Sequence, residues 1–341
     1  MTTRRYTYLL ATTLLLALLA LAPLAAGAGD AGNQGKEQAT FPPRSAKKAA
    51  IKHEYAEVNG VRLHYAKAGS GKKLVMFVHG FPEFWYEYKS QLEEFGSTYT
   101  AVAPDMRGYN LSSKPAELEK YEVRYMVEDL RQLAEKLGHK KFILVAHDWG
   151  GAIAWAFAIA HPQSLEKLVI INAPHPGVFQ RELAENPEQQ KASQYMLMFR
   201  SPQAEALLSA NNYAMLVQAV LGEGLKTGVF TEEDKKAYIE AWSQPGALTG
   251  GLNYYRAANA GPPADGEKRA PSPAASPEAL SVKVPTLVIW GEKDTALLTS
   301  SLDGLDKFVT TLTVKRIPEG THWVIHEKPA QVNQYIREFI R

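Results

Sequence analysis

The chain of 341 residues contains no cysteine. That excludes structural disulfides, thiolate zinc sites, iron–sulfur clusters, a cysteine nucleophile and lipid attachment through sulfur. Neither sign of charge is in excess, with 38 Lys and Arg against 36 Asp and Glu. A chain so balanced has no electrostatic reason to seek nucleic acid or an anionic surface. Hydrophobic residues make up 45% and charged residues 22%, which excludes a disordered or collagen-like chain. The histidines show no HExxH-type spacing, so no metal is expected.

Long apolar runs are confined to the beginning of the chain. Arg4 and Arg5 precede a leucine-rich stretch, Tyr8 to Leu21, and Ala26-Gly27-Ala28 then offers small residues to a signal peptidase. Residues 1–28 therefore read as a secretory signal peptide, too short for a comfortable membrane span. An uncleaved anchor is the plainer alternative, and the arginine pair loosely suits twin-arginine export. Removal of residues 1–28 takes away two arginines and no acid, which brings the formal charge from +2 to zero. The expected location is periplasmic or extracellular, with no membrane contact after cleavage. Residues 29–50, rich in Gly, Ala, Lys and Gln and without periodicity, read as a flexible leader.

Beyond the leader, strand and helix signals alternate. Glu54–Val58 and Arg62–Lys67 flank Asn59-Gly60, a strong hairpin signal. Lys73–Val78, Tyr99–Ala103, Phe142–Ala146, Lys167–Ile171, Pro285–Trp290 and Thr313–Ile317 are short runs bounded by turn residues. Runs without alternation suit parallel strands buried on both faces. Val123–Leu137 and Gly150–Ala160 read as helices between them, so the expected class is α/β with a mostly parallel sheet flanked by helices. Residues 174–280 break the rhythm. Helical patterns dominate at Ala204–Leu221 and Thr231–Trp242, and Ala257–Ser276 reads as a Pro/Ala-rich surface loop. The expected organisation is a core of residues 51–173 and 281–341 with a helical cap, 174–280, inserted between two strands.

Ala146-His147-Asp148-Trp149-Gly150-Gly151 joins an apolar strand to an alanine-rich helix. Small residues around a central one permit a sharp strand-to-helix turn, with that residue at positive φ. Asp148 would then stand above the carboxyl end of the sheet, where open α/β sheets bind ligands. The plainer reading makes Asp148 a helix cap, and this fragment alone leaves the two even. His79-Gly80-Phe81-Pro82, Glu292-Lys293-Asp294 and Gly320-Thr321-His322-Trp323 also follow predicted strands. In a parallel sheet those ends share one edge, so the groups can converge.

These fragments resemble the α/β-hydrolase superfamily and, within it, the epoxide hydrolases. The likeness spans roughly residues 52–341. It is carried by HGFPEFWYEY at 79–88, PDMRGYNLSSKP at 104–115, AHDWGG at 146–151, NAPHP at 172–176, NYYRA at 253–257, PTLVIWGEKD at 285–294 and GTHW at 320–323. The resemblance implies Asp148 as nucleophile, His322 as base and Asp294 as its orienting acid. It implies an oxyanion hole from the backbone N–H groups of Phe81 and Trp149, and two epoxide-activating phenols, Tyr195 and Tyr255. A carboxylate attacks an epoxide carbon without deprotonation, phenols donate to the departing oxygen, and His322 serves only the hydrolysis of the resulting ester. Trp85, Trp149 and Trp323 are expected to wall the pocket. His147 and His326 read as structural histidines, and Asp105 with Arg107 as a loop-tying ion pair. No cofactor is expected. The expected partner is a small apolar epoxide, and a homodimer is left open.

The sequence departs from the family pattern at Ala146, usually glycine, and at Asn110 and Leu111 after Arg107-Gly108-Tyr109. The principal rival is a haloalkane or haloacid dehalogenase with the same Asp nucleophile. Phe81, where many haloalkane dehalogenases carry a halide-binding Asn, and the two tyrosines weigh against it. A binding protein on this fold would need no complete nucleophile, base and acid. A serine esterase would not carry Asp148.

Overall fold

A computed structural model describes residues 49–264 and 277–341. The expected signal peptide, most of the expected leader and the greater part of the Pro/Ala-rich loop lie outside these residues. The described chain belongs to a single unit, Ala46–Arg341.

Eight strands form one sheet: β1 (Ile51–Val58), β2 (Val61–Ala68), β3 (Leu74–Val78), β4 (Thr100–Pro104), β5 (Phe142–His147), β6 (Leu165–Ile171), β7 (Thr286–Gly291) and β8 (Leu312–Ile317). Their order is β1-β2-β4-β3-β5-β6-β7-β8. β1 and β2 form the expected hairpin, with Val58 opposite Val61 and Asn59 and Gly60 at φ 47° and 75°. Both turn residues therefore lie in the left-handed region that a two-residue hairpin requires. β2 also runs antiparallel to β4, and every pairing from β4 to β8 is parallel.

The central strands are buried on both faces, as their unbroken apolar runs require. Their side chains alternate between two cores. Val75, Phe77, Ile143, Val145, Val169 and Leu287 meet Leu92, Phe95, Val332 and Ile336 from the helices Lys89–Phe95 and Pro329–Ile340. Met76, Val78, Leu144, Ile170 and Val288 face the other way, onto the helices Val123–Lys136 and Asp148–Ala160. Each fully buried Leu, Val, Ile or Phe contributes about 1.5–3 kcal/mol relative to exposure, so both faces hold the sheet.

Between β6 and β7 the elements among the described residues are helices, from Pro176–Glu185 to Ala247–Ala257. Leu208, Tyr238, Trp242, Leu252 and Tyr255 from this insertion join the core of the second face. The expected helix Ala204–Leu221 is interrupted. Helical geometry is lost at Ala210–Tyr213, where Asn211, Asn212 and Tyr213 adopt φ of 51°, 56° and 61°. Asparagine tolerates this region, whereas Tyr213 does so at a cost and its hydroxyl donates to the Trp242 carbonyl at 3.2 Å. Thr231 does not begin the next helix but caps it, in a reciprocal capping box with Asp234.

Candidate active site

The turn after β5 has the geometry its sequence anticipates. Asp148 sits at φ 49°, at the start of the helix Asp148–Ala160. The strained residue is held by close packing. A Cβ at Gly150 would stand 2.1 Å from the Val78 carbonyl oxygen, and one at Gly80 would stand 2.3 Å from Asp148 Oδ1. The unusual Ala146 lies inside β5, between Val78 of β3 and Ile170 of β6, where its methyl joins the core.

The Phe81 backbone N–H donates to Asp148 Oδ1 at 2.8 Å. The Trp149 N–H belongs to the first helical turn, whose N–H groups have no intrahelical acceptor. Asp148 Oδ2 faces His322 Nε2 at 3.5 Å, and His322 Nδ1 lies 2.7 Å from Asp294 Oδ2. Three residues from the ends of three strands thus form one chain of contacts. Burial pushes the Asp148 carboxyl up, but its hydrogen bond and charge interaction with His322 outweigh burial and hold it below the usual carboxylate range. Burial alone would push the His322 imidazole down. Asp294 and Asp148 together raise it well above its ordinary value.

Asp294 both caps and orients. Its Oδ1 accepts from the Ala296 and Leu297 N–H groups at 2.8 and 2.9 Å, while Oδ2 accepts from Asn172 Nδ2 at 2.8 Å besides facing His322. Asn172 is a supporting residue that sequence reasoning passes over. It follows β6 at φ 39°, is fully buried, and its Oδ1 accepts from the Gly291 N–H at 2.8 Å. Its position at the carboxyl end of a predicted strand was the available signal.

Tyr195 and Tyr255 come from two helices of the insertion, Tyr195–Arg200 and Ala247–Ala257. Their ring centroids lie 6.5 Å apart, and Tyr255 stands edge-on to Trp149 at 5.1 Å and to Phe81 at 5.4 Å. Burial, then the negative charge of Asp148, pushes both phenols well above 10, so both carry their protons at neutral pH. Trp323 lies edge-on to His322 at 4.9 Å. Trp85 lies against His53 of β1 at 4.8 Å, with neighbouring Phe84 and Tyr86, and its backbone N–H donates to Asp105 Oδ1.

The expected Asp105–Arg107 pair does not form. Arg107 donates two hydrogen bonds to Asp129 of the helix Val123–Lys136, at 2.7 and 2.6 Å. Asp105 instead meets His64 Nδ1 at 2.6 Å and accepts from Asn110 Nδ2 at 2.8 Å. A buried arginine with five donors is best met by a carboxylate it can grip at two points, and Asp129 offers that approach. His147 and His326 are both drawn into a buried carboxyl cluster. His147 Nδ1 lies 2.5 Å from Glu87 Oε1, and His326 Nε2 lies 3.0 Å from Glu83 Oε1. Glu83, Glu87 and His326 hold one possible metal-ligating atom each within 4.8 Å of one another. Hydrogen bonds already account for the Glu83 oxygens and His326 Nε2.

Comparison with known proteins bears on the fold and the family. The sequence pattern of the alpha/beta hydrolase fold matches residues 73–329. The chain belongs to the α/β-hydrolase fold family. By relatives that match it over most of its length, it belongs to the epoxide hydrolases within that family. It is 38% identical over 294 residues to the AB hydrolase superfamily protein YfhM of Bacillus subtilis (strain 168), covering 85% of this chain and 98% of the relative. It is 36% identical to epoxide hydrolase 4 of Mus musculus, covering 85% of this chain and 79% of the relative. Among solved structures, the epoxide hydrolase of Bacillus megaterium in complex with an inhibitor is 37% identical, with a TM-score of 0.76 over 84% of this chain and 99% of that one. A mutant of the same enzyme has been solved with its product, (R)-3-[1]naphthyloxy-propane-1,2-diol.

Proposed function

We propose that this epoxide hydrolase opens its substrate on Asp148 and releases a vicinal diol after hydrolysis of a covalent ester. The observation that carries the reading is a carboxylate, not a hydroxyl, at the positive-φ turn, with one oxygen held by the Phe81 N–H and the other facing His322. Asp148 is ionised at neutral pH and attacks an epoxide carbon directly. Tyr195 and Tyr255 donate to the oxygen that leaves the carbon, one of them giving up its proton. The ester removes the negative charge of Asp148, one of the two that raise the His322 imidazole. His322 then takes a proton from water, which attacks the ester carbonyl, while Asp294 holds the Nδ1–H tautomer. The N–H groups of Phe81 and Trp149 stabilise the oxyanion. Collapse of the tetrahedral intermediate breaks the acyl C–O bond and leaves the water oxygen on Asp148. One proton of that water goes to the departing alkoxide and the other replaces the one the phenol gave up, so the cycle closes without net proton change.

The aromatic cluster of Phe81, Trp149, Phe199 and Tyr255 around the nucleophile turn supports a small apolar, aryl-bearing epoxide. The aryl-ether diol bound by the Bacillus megaterium relative supports the same class. Export to the periplasm or medium is part of the proposal and rests on the sequence of residues 1–28.

The test is intact-protein mass of His322→Gln after incubation with styrene oxide and, separately, a bromoalkane. Blocking the base traps any ester on Asp148. A gain equal to the whole epoxide is expected. A gain of the alkyl group without bromine, and none with the epoxide, would make the protein a dehalogenase.

A further inference from the structure

We propose that Glu87 stands as a neutral carboxylic acid that donates its proton to His147, and that this uncharged pair positions His322 from behind. The proposal rests on the reading of His322 as the base. His147 Nε2 lies 2.9 Å from the backbone carbonyl oxygen of His322. A carbonyl only accepts, so Nε2 carries the hydrogen. The other ring nitrogen, Nδ1, meets Glu87 Oε1 at 2.5 Å. Two proton arrangements satisfy both contacts: an imidazolium with a carboxylate, or a neutral imidazole accepting from a carboxylic acid.

Three observations select the second. Glu87 Oε2 is buried and has no hydrogen-bond partner. A bare oxygen costs far more on a carboxylate than on an acid, where it is only a carbonyl. Glu83 lies beside it, with oxygens of both residues within 4.8 Å. Glu83 accepts from Tyr238 at 2.7 Å and meets His326 at 3.0 Å, so it is the ionised member of the two. Two buried carboxyls this close do not both ionise. Finally, the His147 and His322 rings lie 4.6 Å apart. His322 bears a proton during ester hydrolysis, and a second imidazolium at that distance would oppose that step.

The titration of the groups agrees with the geometry. Burial, and next the charge on His322, holds the His147 imidazole down to about 3. Burial and Glu83 push the Glu87 carboxyl well up, against the smaller influences of His326 and His322. The consequence is functional. Asp294 fixes the His322 ring from its Nδ1 side, and His147 fixes its backbone. An uncharged support does so without placing a second positive charge beside the His322 imidazolium.

Two measurements on the full chain test this. Infrared difference spectra of wild type against Glu87→Gln at pH 7 are expected to contain a protonated-carboxyl C=O band that the variant lacks. This readout is independent of turnover, so it stands whether or not His322 proves to be the base. Its absence would overturn the proton assignment. Single-turnover rapid quench with styrene oxide then separates ester formation from hydrolysis. Glu87→Ala is expected to slow hydrolysis about tenfold or more while ester formation stays within about twofold. Glu87→Gln, whose amide donates to Nδ1 and presents a carbonyl oxygen as the acid does, is expected to recover hydrolysis to within about threefold of wild type. Gln as slow as Ala would mean that charge is required and would overturn the neutral pair. Unimpaired hydrolysis in Ala would overturn the positioning role. If Glu87→Ala does not fold, Glu87→Met, also without a donor, replaces it.

Discussion

Asp294→Asn separates the two half-reactions. Asp294 Oδ1 accepts from two backbone N–H groups, so the Asn carbonyl must keep that place. The new NH₂ then faces His322 Nδ1 and Asn172 Nδ2, which the native Oδ2 meets at 2.7 and 2.8 Å. Donor meets donor on both sides. The imidazole answers by moving its hydrogen to Nε2, the tautomer that cannot take a proton from water. Wrong-tautomer substitutions in comparable triads cost on the order of 10⁴-fold, and that loss is expected in ester hydrolysis. Ester formation uses the Asp148 carboxylate without a base and is expected to stay within about tenfold of wild type, given the disturbed field around His322. Stopped-flow or rapid-quench kinetics with styrene oxide would show one fast turnover followed by a stalled, full-stoichiometry ester visible by intact mass. Steady turnover near the wild-type rate would refute the orienting role of Asp294. Loss of ester formation equal to the loss of hydrolysis would refute the division of labour between Asp148 and His322.

The rate of ester formation is expected to be flat between about pH 5 and 9. Asp148 titrates below the ordinary carboxylate range and both phenols above 10, so neither changes charge in that window; a single-turnover pH profile checks this. Replacing both Tyr195 and Tyr255 by Phe should slow epoxide opening by at least about 10³-fold while leaving a preformed ester's hydrolysis close to wild type, measured by rapid quench. Gly80→Ala sets a methyl 2.3 Å from Asp148 Oδ1 and must displace the carboxylate or the Phe81 N–H. Its kcat/KM should fall more than about 100-fold, and a thermal melt reports the accompanying loss of stability.

Much of the fold is legible because its signals are local. Each of the eight strands appears as a short apolar run or, at β1 and β2, as the arms of an Asn-Gly hairpin. Edges differ by one to three residues, as with Glu54 against Ile51 at β1. The interruption at Asn211–Tyr213 was hidden because its apolar spacing reads through as one helix. The candidate site was legible at its strand ends. Asp148, Asp294 and His322 each follow a strand, and parallel strands bring their carboxyl ends to one edge.

What the sequence by itself determined is the class of sheet, the positive-φ turn at Asp148 and the kind of groups available at the sheet edge. Period, turn chemistry and the absence of cysteine act over a few residues and need no partner. The tertiary structure alone decided which buried polar groups meet. Arg107 chose Asp129 over Asp105, Asn172 came to lock Asp294 to Gly291, Trp85 went to His53, and Glu87 met His147 across 60 residues of chain. A buried donor or acceptor must find a partner wherever packing brings one, and packing is settled by the whole core rather than by neighbours in the chain.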